Sequence, residues 1–386
     1  MQEIKVLTID DDSAVTDQIR DLLHDAEIEG CKISVETENN FENGKKLLQE
    51  KNYDVVILDV YRGNPSESNH DLPGKEILDE IKLTVPIAVI FYTGLTTHIQ
   101  DCASAMVRVV SKTTAGGIEA ELASLIKTGL PLIRKKITQH AHEVLRAYYW
   151  EFVDKHSDLV AASEDDALLE YLLLRRLAAT LNREGVTKIF GKTLSPEKIH
   201  PLGFYICPPF QEDVYEMGDI LKKDSDGTFH VVLTPSCDLA QRKADYLLLV
   251  PTSSLKETEE YKKYRECKNL NTEESLKRLP SLKDALTRLI GSRKSDRLFF
   301  LPRNEFTGMP DVILDFQQGF NHKIEGSTGY KLAGYTKVCK IDDPFAQDML
   351  ATFIRNKNRP GSPDLDADHV LGYLDEEDIS NASDQV

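Results

Sequence analysis

Four hydrophobic runs in the first third of the chain each lead into residues that could take part in phosphoryl chemistry. The runs are short, mostly β-branched and separated by helical patterns, which predicts parallel strands of an α/β sheet. The residues that close them are Asp10, Asp11, Asp59, Thr93 and Lys112. Because ligands bind beyond the carboxyl ends of such strands, we expect these side chains to meet in one site.

The residue types fit metal-assisted transfer of a phosphoryl group. Magnesium prefers carboxylate, water and phosphate oxygens, so Asp10, Asp11 and Asp59 are candidate metal ligands. Asp59 is also the candidate nucleophile, because a carboxylate that attacks a phosphoryl group forms an aspartyl phosphate. Lys112 and the metal would offset the charge on the phosphoryl oxygens, and the Thr93 hydroxyl would donate a hydrogen bond to them. An aspartate after a strand often only caps a helix, but the combination and its order favour the site.

The same residues resemble the receiver domain of bacterial two-component response regulators. The resemblance covers about the first 128 residues and is carried by Ile9-Asp10-Asp11-Asp12, Tyr53 to Asp59, Thr93-Gly94 and Ser111-Lys112. It implies a flavodoxin-like, doubly wound, five-stranded parallel sheet. It also implies Asp59 as phospho-acceptor, Mg²⁺ as cofactor and the backbone carbonyl of Tyr61 as a further metal ligand. The partner it implies is a histidine kinase or a phosphotransfer protein.

Three positions depart from that family pattern. The segment Tyr61 to Pro73 is longer than the family's short Met-Pro loop, and Thr113 replaces the proline that usually follows the lysine. Val109 stands where an aromatic switch residue is common. We therefore expect the acceptor chemistry to be intact, and the route from phosphate to output surface to differ.

The bulk composition narrows the classes of protein. A length of 386 residues suggests two or three domains, and a formal net charge of −17 disfavours non-specific binding to nucleic acid or anionic lipid. No apolar run approaches a membrane span, and the first 20 residues lack the layout of a signal peptide. The six cysteines form no Cys-x-x-Cys pair, which favours reduced thiols. Cytoplasmic localisation is the expectation.

Changes in the hydrophobic and charge pattern along the chain predict four segments. Residues 1–128 form the receiver, in which a short helix is expected from about His98 to Ala105. Residues 129–184 form a helical linker or dimerisation region, 185–360 an α+β output domain with a small β-barrel-like part, and 361–386 an acidic mobile tail. The linker contains two amphipathic helices, one after Pro131 and one after a capping box at Ser163 to Asp166. These helices either pack on each other or on the last domain, or they form a dimerisation or signal-transmitting bundle. A homodimer is the expected assembly.

The second half of the chain gives weaker indications of its fold and function. Its runs at 218–221, 229–239 and 246–251 predict strands and loosely resemble the SH3-like barrels of PemK/MazF-type toxins. Cys237 could be a nucleophile with His230 or His200 as its base, but the end of an apolar strand favours a buried structural thiol, with Asp238 capping the next turn. The basic segment Lys256 to Lys294 is interleaved with glutamates, which is typical of a solvated helix face.

The sequence thus predicts a response regulator that acts through an atypical C-terminal domain and a downstream protein partner. Enzymatic activity beyond self-phosphorylation and dephosphorylation of the receiver is not expected. Two alternatives stay open at this point. One is a receiver-gated effector enzyme, a nuclease or Cys237 hydrolase, in a toxin or phage-defence system. The other is a pseudo-receiver that serves as a scaffold without being phosphorylated.

Overall fold

The chain divides into two compact units, Met1–Leu194 and Ser195–Val386. The computed structural model describes residues 2–63, 72–156, 158, 167–194, 198–210, 214–270, 272–292, 295–324, 332–358 and 366. The predicted acidic tail apart from Asp366, the predicted capping box at 163–166 and most of the long loop before Pro73 lie outside these ranges. None of the helices described is both long and apolar enough to cross a membrane. The domain limits at 128, 184 and 360 remain predictions.

The first unit is built on a six-stranded sheet with the order β2-β3-β1-β4-β5-β6. Its strands are β1 (Gln2–Ile9), β2 (Glu27–Ile28), β3 (Cys31–Glu38), β4 (Val55–Leu58), β5 (Ala88–Thr93) and β6 (Val107–Ser111). All neighbours pair in parallel except β2, which is antiparallel to β3. The five parallel strands match the predicted flavodoxin-like order. The sixth strand was missed because it is only two residues long.

Helices cover both faces of this sheet. They are α1 (Ser13–Leu23), α2 (Phe41–Glu50), α3 (Pro73–Thr84) and α4 (Gly117–Lys127). Alternate residues of β1 point to opposite faces. Accordingly, Ile4 and Val6 join the core formed with α1 and α4, whereas Leu7 and Ile9 join the core formed with α2 and α3. A sheet buried on both sides explains why its strands read as continuous apolar runs.

The predicted helix from His98 to Ala105 is wrong. Only one 3₁₀ turn, Gln100–Cys102, forms between β5 and β6. The Ser104 hydroxyl accepts hydrogen bonds from the backbone N–H groups of Met106 and Val107, at 3.3 and 3.2 Å. The Ser104 N–H donates to the Val107 carbonyl at 2.9 Å. The Ser104 hydroxyl thus accepts from backbone N–H groups that would donate to carbonyls within a helix. The chain therefore continues directly into β6.

The outer edge of β3 is covered by the residues before and within β2. The Asp25 N–H donates to the Ile33 carbonyl at 2.9 Å, and the Ile33 N–H donates to the Ala26 carbonyl at 3.0 Å. The Val35 N–H donates to Nδ1 of His24 at 3.0 Å. These bonds continue the short β2 ladder and pair the edge of β3 as far as Val35.

In the part of the first unit that the structure describes, three further helices follow: α5 (Leu130–Tyr148), which continues as one π-helical turn at Tyr149–Val153, α6 (Leu168–Thr180) and α7 (Arg183–Phe190). Gly129 separates α4 from α5 at a φ of 75°, a conformation that favours glycine and agrees with the predicted helix stop. The His140 imidazole and the Thr180 hydroxyl are hydrogen-bonded at 2.9 Å, which joins α5 to α6. The two predicted linker helices therefore pack on each other.

The second unit contains an eight-stranded antiparallel sheet with the order β11-β12-β10-β9-β8-β14-β7, in which β13 also pairs with β10. Its strands are β7 (Tyr205–Ile206), β8 (Asp219–Lys223), β9 (Phe229–Val232), β10 (Tyr246–Ser254), β11 (Leu298–Leu301), β12 (Val312–Asp315), β13 (Phe320–Lys323) and β14 (Tyr335–Ile341). Its helices are α8 (Ser236–Ala240), α9 (Glu259–Leu270), α10 (Glu273–Ile290) and α11 (Phe345–Lys357).

The two ends of this sheet approach each other. Residues of β7 and β11 share one buried cluster, and the Tyr205 hydroxyl donates to the Pro302 carbonyl just after β11. No backbone ladder joins β7 to β11 in the part of the chain that is described. The sheet is therefore strongly curved but open, and the predicted small barrel remains a prediction.

The predicted basic segment forms α9 and α10. Lys263 with Glu259, Lys277 with Glu273 and Arg288 with Asp284 form ion pairs one helical turn apart, on exposed side chains. This is the solvated, mixed-charge helix face that the sequence predicted.

Candidate functional site

Three carboxylates meet at the carboxyl ends of β1 and β4. Ile9 and Leu58 lie side by side on these neighbouring strands, so Asp10 and Asp59, which follow them, are brought together. One oxygen from each of Asp10, Asp11 and Asp59 lies within 4.8 Å of the others. In the described residues this is the one group of three or more metal-type ligands. Carboxylate oxygens are the ligands that a hard divalent cation prefers.

Lys112 lies between two of these carboxylates. Its Nζ is 2.7 Å from an oxygen of Asp10 and 2.7 Å from an oxygen of Asp59. Its backbone N–H donates to the Thr93 carbonyl at 2.9 Å, which fixes the end of β6 beside the end of β5. Burial opposes the charge of the ammonium, but the hydrogen bonds to Asp10 and Asp59 outweigh it and raise the pKa of Lys112. The site thus holds a firmly protonated lysine.

The negative charge of the site is not fully balanced. Burial raises the pKa of Asp10 to about 6, with a further contribution from the nearby Asp59, although Lys112 and the Asp12 N–H oppose the shift. Three carboxylates share one ammonium here, so a divalent cation would relieve their repulsion. The donor set and this excess of charge both fit magnesium.

The backbone at Asp59 is held closely. Its N–H donates to the Ile9 carbonyl at 2.9 Å, and the next N–H, of Val60, donates to an oxygen of Asp59 itself at 2.6 Å. Gly74, in the first turn of α3, lies directly against this backbone: a Cβ there would be 2.1 Å from the Asp59 carbonyl oxygen and 2.9 Å from Cα of Val60. Sequence reasoning missed Gly74, because Pro73-Gly74 signals only the start of a helix.

The Thr93 hydroxyl is a polar group without a partner. Thr93 is fully buried at the end of β5, and its Oγ1 forms no hydrogen bond within the described structure. Leaving a buried hydroxyl unpaired costs about 1–3 kcal/mol. A donor kept at this cost at the same end of the sheet as the carboxylates fits the predicted role of binding an added oxyanion.

We predict that Thr93→Val raises the stability of the fold but impairs phosphorylation of the site. Valine has nearly the same shape and removes the unpaired hydroxyl, so the free energy of unfolding should rise by about 1 kcal/mol in urea denaturation. The rate of phosphoryl uptake, or the conformational response to phosphorylation, should be impaired. Thr8→Val is the matched control, since Thr8 is also fully buried with an unpaired hydroxyl. It should stabilise the fold and leave phosphorylation unchanged; equal effects of the two substitutions on phosphorylation would contradict a role for Thr93.

Loop contacts add two features that the sequence did not predict. The exposed Asp11 accepts a hydrogen bond from the Gly63 N–H at 2.7 Å, which ties the loop after β4 to the acidic cluster. The Tyr61 side chain is fully buried, and its hydroxyl is hydrogen-bonded to Nδ1 of His98 at 3.1 Å. This bond links the loop after β4 to the loop after β5. The metal-binding role of the Tyr61 carbonyl remains a prediction.

The residues at which the sequence departs from the family pattern form local contacts of their own. Thr113 follows Lys112 in a trans peptide bond, since the cis bonds in the described residues are Cys207–Pro208 and Asp343–Pro344. The hydroxyls of Ser111 and Thr113 are hydrogen-bonded at 2.8 Å, which closes the turn after β6. Val109 packs against the core under α2 and α3.

The prediction of a buried Cys237 is wrong. β9 ends at Val232, and α8 begins directly after Pro235, so Cys237 lies on a short helix and is exposed. Its thiol donates to the Asp238 carboxylate at 3.6 Å. Asp238 lies inside α8 and does not cap it.

Neither predicted base is hydrogen-bonded to Cys237 in the described residues. His230 is buried in the sheet, and its ring packs edge-on against Phe320 and Tyr335. His200 accepts a hydrogen bond from the Leu202 N–H at 3.2 Å. Within the described ranges, neither histidine is therefore placed as the base of this thiol.

Neither the protein-family models nor the curated proteins gave a match to this chain. Among solved structures, a response regulator receiver domain protein from Clostridium thermocellum is 29% identical, with 35% of this chain and 98% of that chain covered and a TM-score of 0.26. The response regulator TrrA from Thermotoga maritima, in complex with Mg²⁺ and BeF, is 25% identical, with coverages of 32% and 97% and a TM-score of 0.25. A Francisella receiver domain is 20% identical, with coverages of 34% and 98% and a TM-score of 0.25. It is the N-terminal region of this chain, about 35% of its length, that is similar to response regulator receiver domains.

Proposed function

We propose that the first unit is a receiver domain that accepts a phosphoryl group on Asp59 in two-component signal transduction. The observation that carries this proposal is the Lys112 ammonium placed 2.7 Å from an oxygen of both Asp10 and Asp59. A carboxylate that is held beside a cation and further acidic groups is suited to attack a phosphoryl group with metal assistance.

Each side chain then has a defined task. An oxygen of Asp59 forms the new bond to phosphorus while the bond from phosphorus to the donor breaks. Lys112 moves from Asp59 to the phosphoryl oxygens and keeps its contact with Asp10. The Thr93 hydroxyl gains the acceptor that it lacks. Asp10, Asp11 and Asp59, with the Tyr61 carbonyl, would hold Mg²⁺, which supplies positive charge against the phosphoryl oxygens when bound.

The donor in this proposal is a histidine kinase or a phosphotransfer protein. In that transfer a P–N bond of a phosphohistidine breaks and a P–O bond to Asp59 forms. The second unit then passes the signal to a downstream protein through direct contact. Its mixed-charge α9–α10 surface and the overall charge of −17 support a protein partner over nucleic acid.

The direct test is incubation of the purified chain with acetyl phosphate, followed by intact mass measurement. We expect one added phosphoryl group when Mg²⁺ is present and none when EDTA replaces it. A chain whose mass stays unchanged with acetyl phosphate, other small donors and a phosphorylated kinase would favour the non-phosphorylated scaffold.

We also propose that the chain forms a homodimer through residues 131–182. Tyr149 and Trp150 on the π-helical turn and Tyr171 and Leu174 on α6 are exposed, Trp150 by 67%. Large apolar side chains that are exposed close together mark an interaction surface.

The dimer prediction is tested by light scattering on the full chain. We expect a dimer whose equilibrium shifts on phosphorylation, because phosphate must interact differently with two states to move their balance. Trp150→Ser combined with Tyr171→Ser should yield a monomer. Phe306→Ser is the control, because Phe306 is 73% exposed in the second unit. A monomeric wild-type chain at high concentration, phosphorylated or not, would end the dimer proposal.

A further inference from the structure

A cleft of about 320 Å³ lies between the first sheet and α5. Lys5 of β1 and Asp54, which precedes β4, line its sheet side, and Arg134 and Lys135 line its helix side. Asp10 and Asp59 follow the other ends of the same two strands. The cleft is therefore at the opposite edge of the sheet from the candidate phosphorylation site.

Most of the exposed wall of the cleft is formed by apolar atoms, but the side chains that line it all carry polar groups. Lys5, Arg134 and Lys135 are cationic, Asp54 is the one carboxylate, and the remaining lining side chains, which include Asn52 and Thr138, all carry N–H or O–H groups or an imidazole. Three cations against one carboxylate leave a local charge of +2, with histidine taken as neutral. Such a surplus is unusual in a chain whose net charge is −17.

The single carboxylate is already used for structure. One oxygen of Asp54 accepts from Arg134 at 3.1 Å, and the other accepts from the Lys5 backbone N–H at 3.0 Å. Arg134 also donates to the Tyr53 carbonyl. Asp54 therefore anchors α5 to the sheet, and its hydrogen bonds leave only a longer ion-pair contact with Lys135.

Several donors remain unused. Nε of Arg134 is buried and has no hydrogen-bond partner in the described residues. The Lys5 ammonium forms no hydrogen bond or ion pair in the described residues, and its charge acts at longer range on the Glu36 carboxylate. Lys135 donates to the Glu3 carbonyl at 2.5 Å and lies 3.8 Å from Asp54, which leaves an ammonium with further N–H groups at the rim. Cationic donors left over in a concave site provide what an oxyanion needs.

We propose that this cleft binds a small phosphate ester of about mononucleotide size. The volume lies at the lower end of the range for small-molecule sites. The phosphate would be bound by Lys5, Arg134 and Lys135. The aliphatic chains of the two lysines and the Thr138 methyl group offer apolar surface to the rest of the ligand. This site is separate from Asp59 and does not depend on its phosphorylation.

The proposal is tested by isothermal titration calorimetry with the full chain and adenosine 5′-monophosphate. EDTA is present throughout, so that no metal recruits phosphate to the acidic cluster. We expect binding of one molecule per chain, and at least tenfold weaker binding of adenosine, which lacks the anion. Lys5→Gln combined with Lys135→Gln should weaken binding at least tenfold at an unchanged melting temperature. Lys46→Gln, an exposed lysine on α2, is the control and should bind like wild type.

Three results would overturn the proposal. The first is no binding of adenosine 5′-monophosphate and none of inorganic phosphate at millimolar concentration. The second is binding that the double lysine variant leaves unchanged, which would mean that an adventitious site was measured. The third is loss of binding in Asp59→Asn, which would place the ligand at the acidic cluster. Retained binding in Asp59→Asn keeps this inference independent of the phosphorylation proposal.

Discussion

Asp59→Asn is expected to take up no phosphoryl group from acetyl phosphate and Mg²⁺ under conditions in which the wild-type chain takes up one. The amide is nearly the same shape, but its single oxygen can accept from the Val60 N–H or from Lys112 and not from both, because these groups contact different oxygens of Asp59. It lacks the anionic oxygen that attacks phosphorus, and it removes one of the three carboxylates of the metal site. Intact mass and phosphate-affinity gels measure the loss.

Asp12→Asn is the matched control for this experiment. Asp12 is next to the acidic cluster but caps α1, where its side chain accepts from the Ala14 N–H. Asparagine caps helices about as well as aspartate, so uptake and melting temperature should stay at wild-type values. Wild-type uptake by Asp59→Asn would mean that another residue is the acceptor.

Gly74→Ala is expected to destabilise the first unit by about 3 kcal/mol, at the upper end of the usual cost of overpacking. The new methyl group would lie 2.1 Å from the Asp59 carbonyl oxygen. Backbone atoms cannot turn aside as the end of a flexible side chain can, so α3 or the Asp59 loop must move. Because that loop carries the acceptor, phosphorylation should slow as well. Urea denaturation and the rate of phosphoryl uptake report the two effects.

Gly319→Ala provides a comparison in the second unit. Its φ is −59°, and an added Cβ would meet its nearest atoms at 3.4 Å, an ordinary contact distance. We expect a change of less than about 1 kcal/mol. If Gly74→Ala were as stable and as reactive as wild type, the close approach of α3 to Asp59 would be refuted.

The strands of the site could be predicted because their signal is local. The run Val55–Leu58 is fully buried and leads directly into Asp59, and Val107–Ser111 leads into Lys112. Once the strands are parallel, their ends meet at one edge of the sheet, so the order of the motifs was enough to bring Asp59 and Lys112 together.

The remaining features depend on contacts between distant residues. Arg134 and Asp54 are 80 positions apart, and no periodic pattern connects them. The contact of Gly74 with Asp59 depends on how α3 meets the sheet. At Cys237 the apolar pattern continued past the true end of β9, because Pro235 starts a helix where a longer strand was expected. Local propensity could not locate these tertiary contacts.

The hydrogen bonds that cover the edge of β3 affect the tendency of the chain to aggregate. An uncovered edge strand presents a row of N–H and C=O groups that another chain can join, which is a common route to fibres. One part of this cover is a side chain, because the Val35 N–H donates to the His24 ring. A substitution that removes the ring acceptor of His24 would therefore leave the Val35 N–H unpaired and open this part of the edge to pairing with another chain.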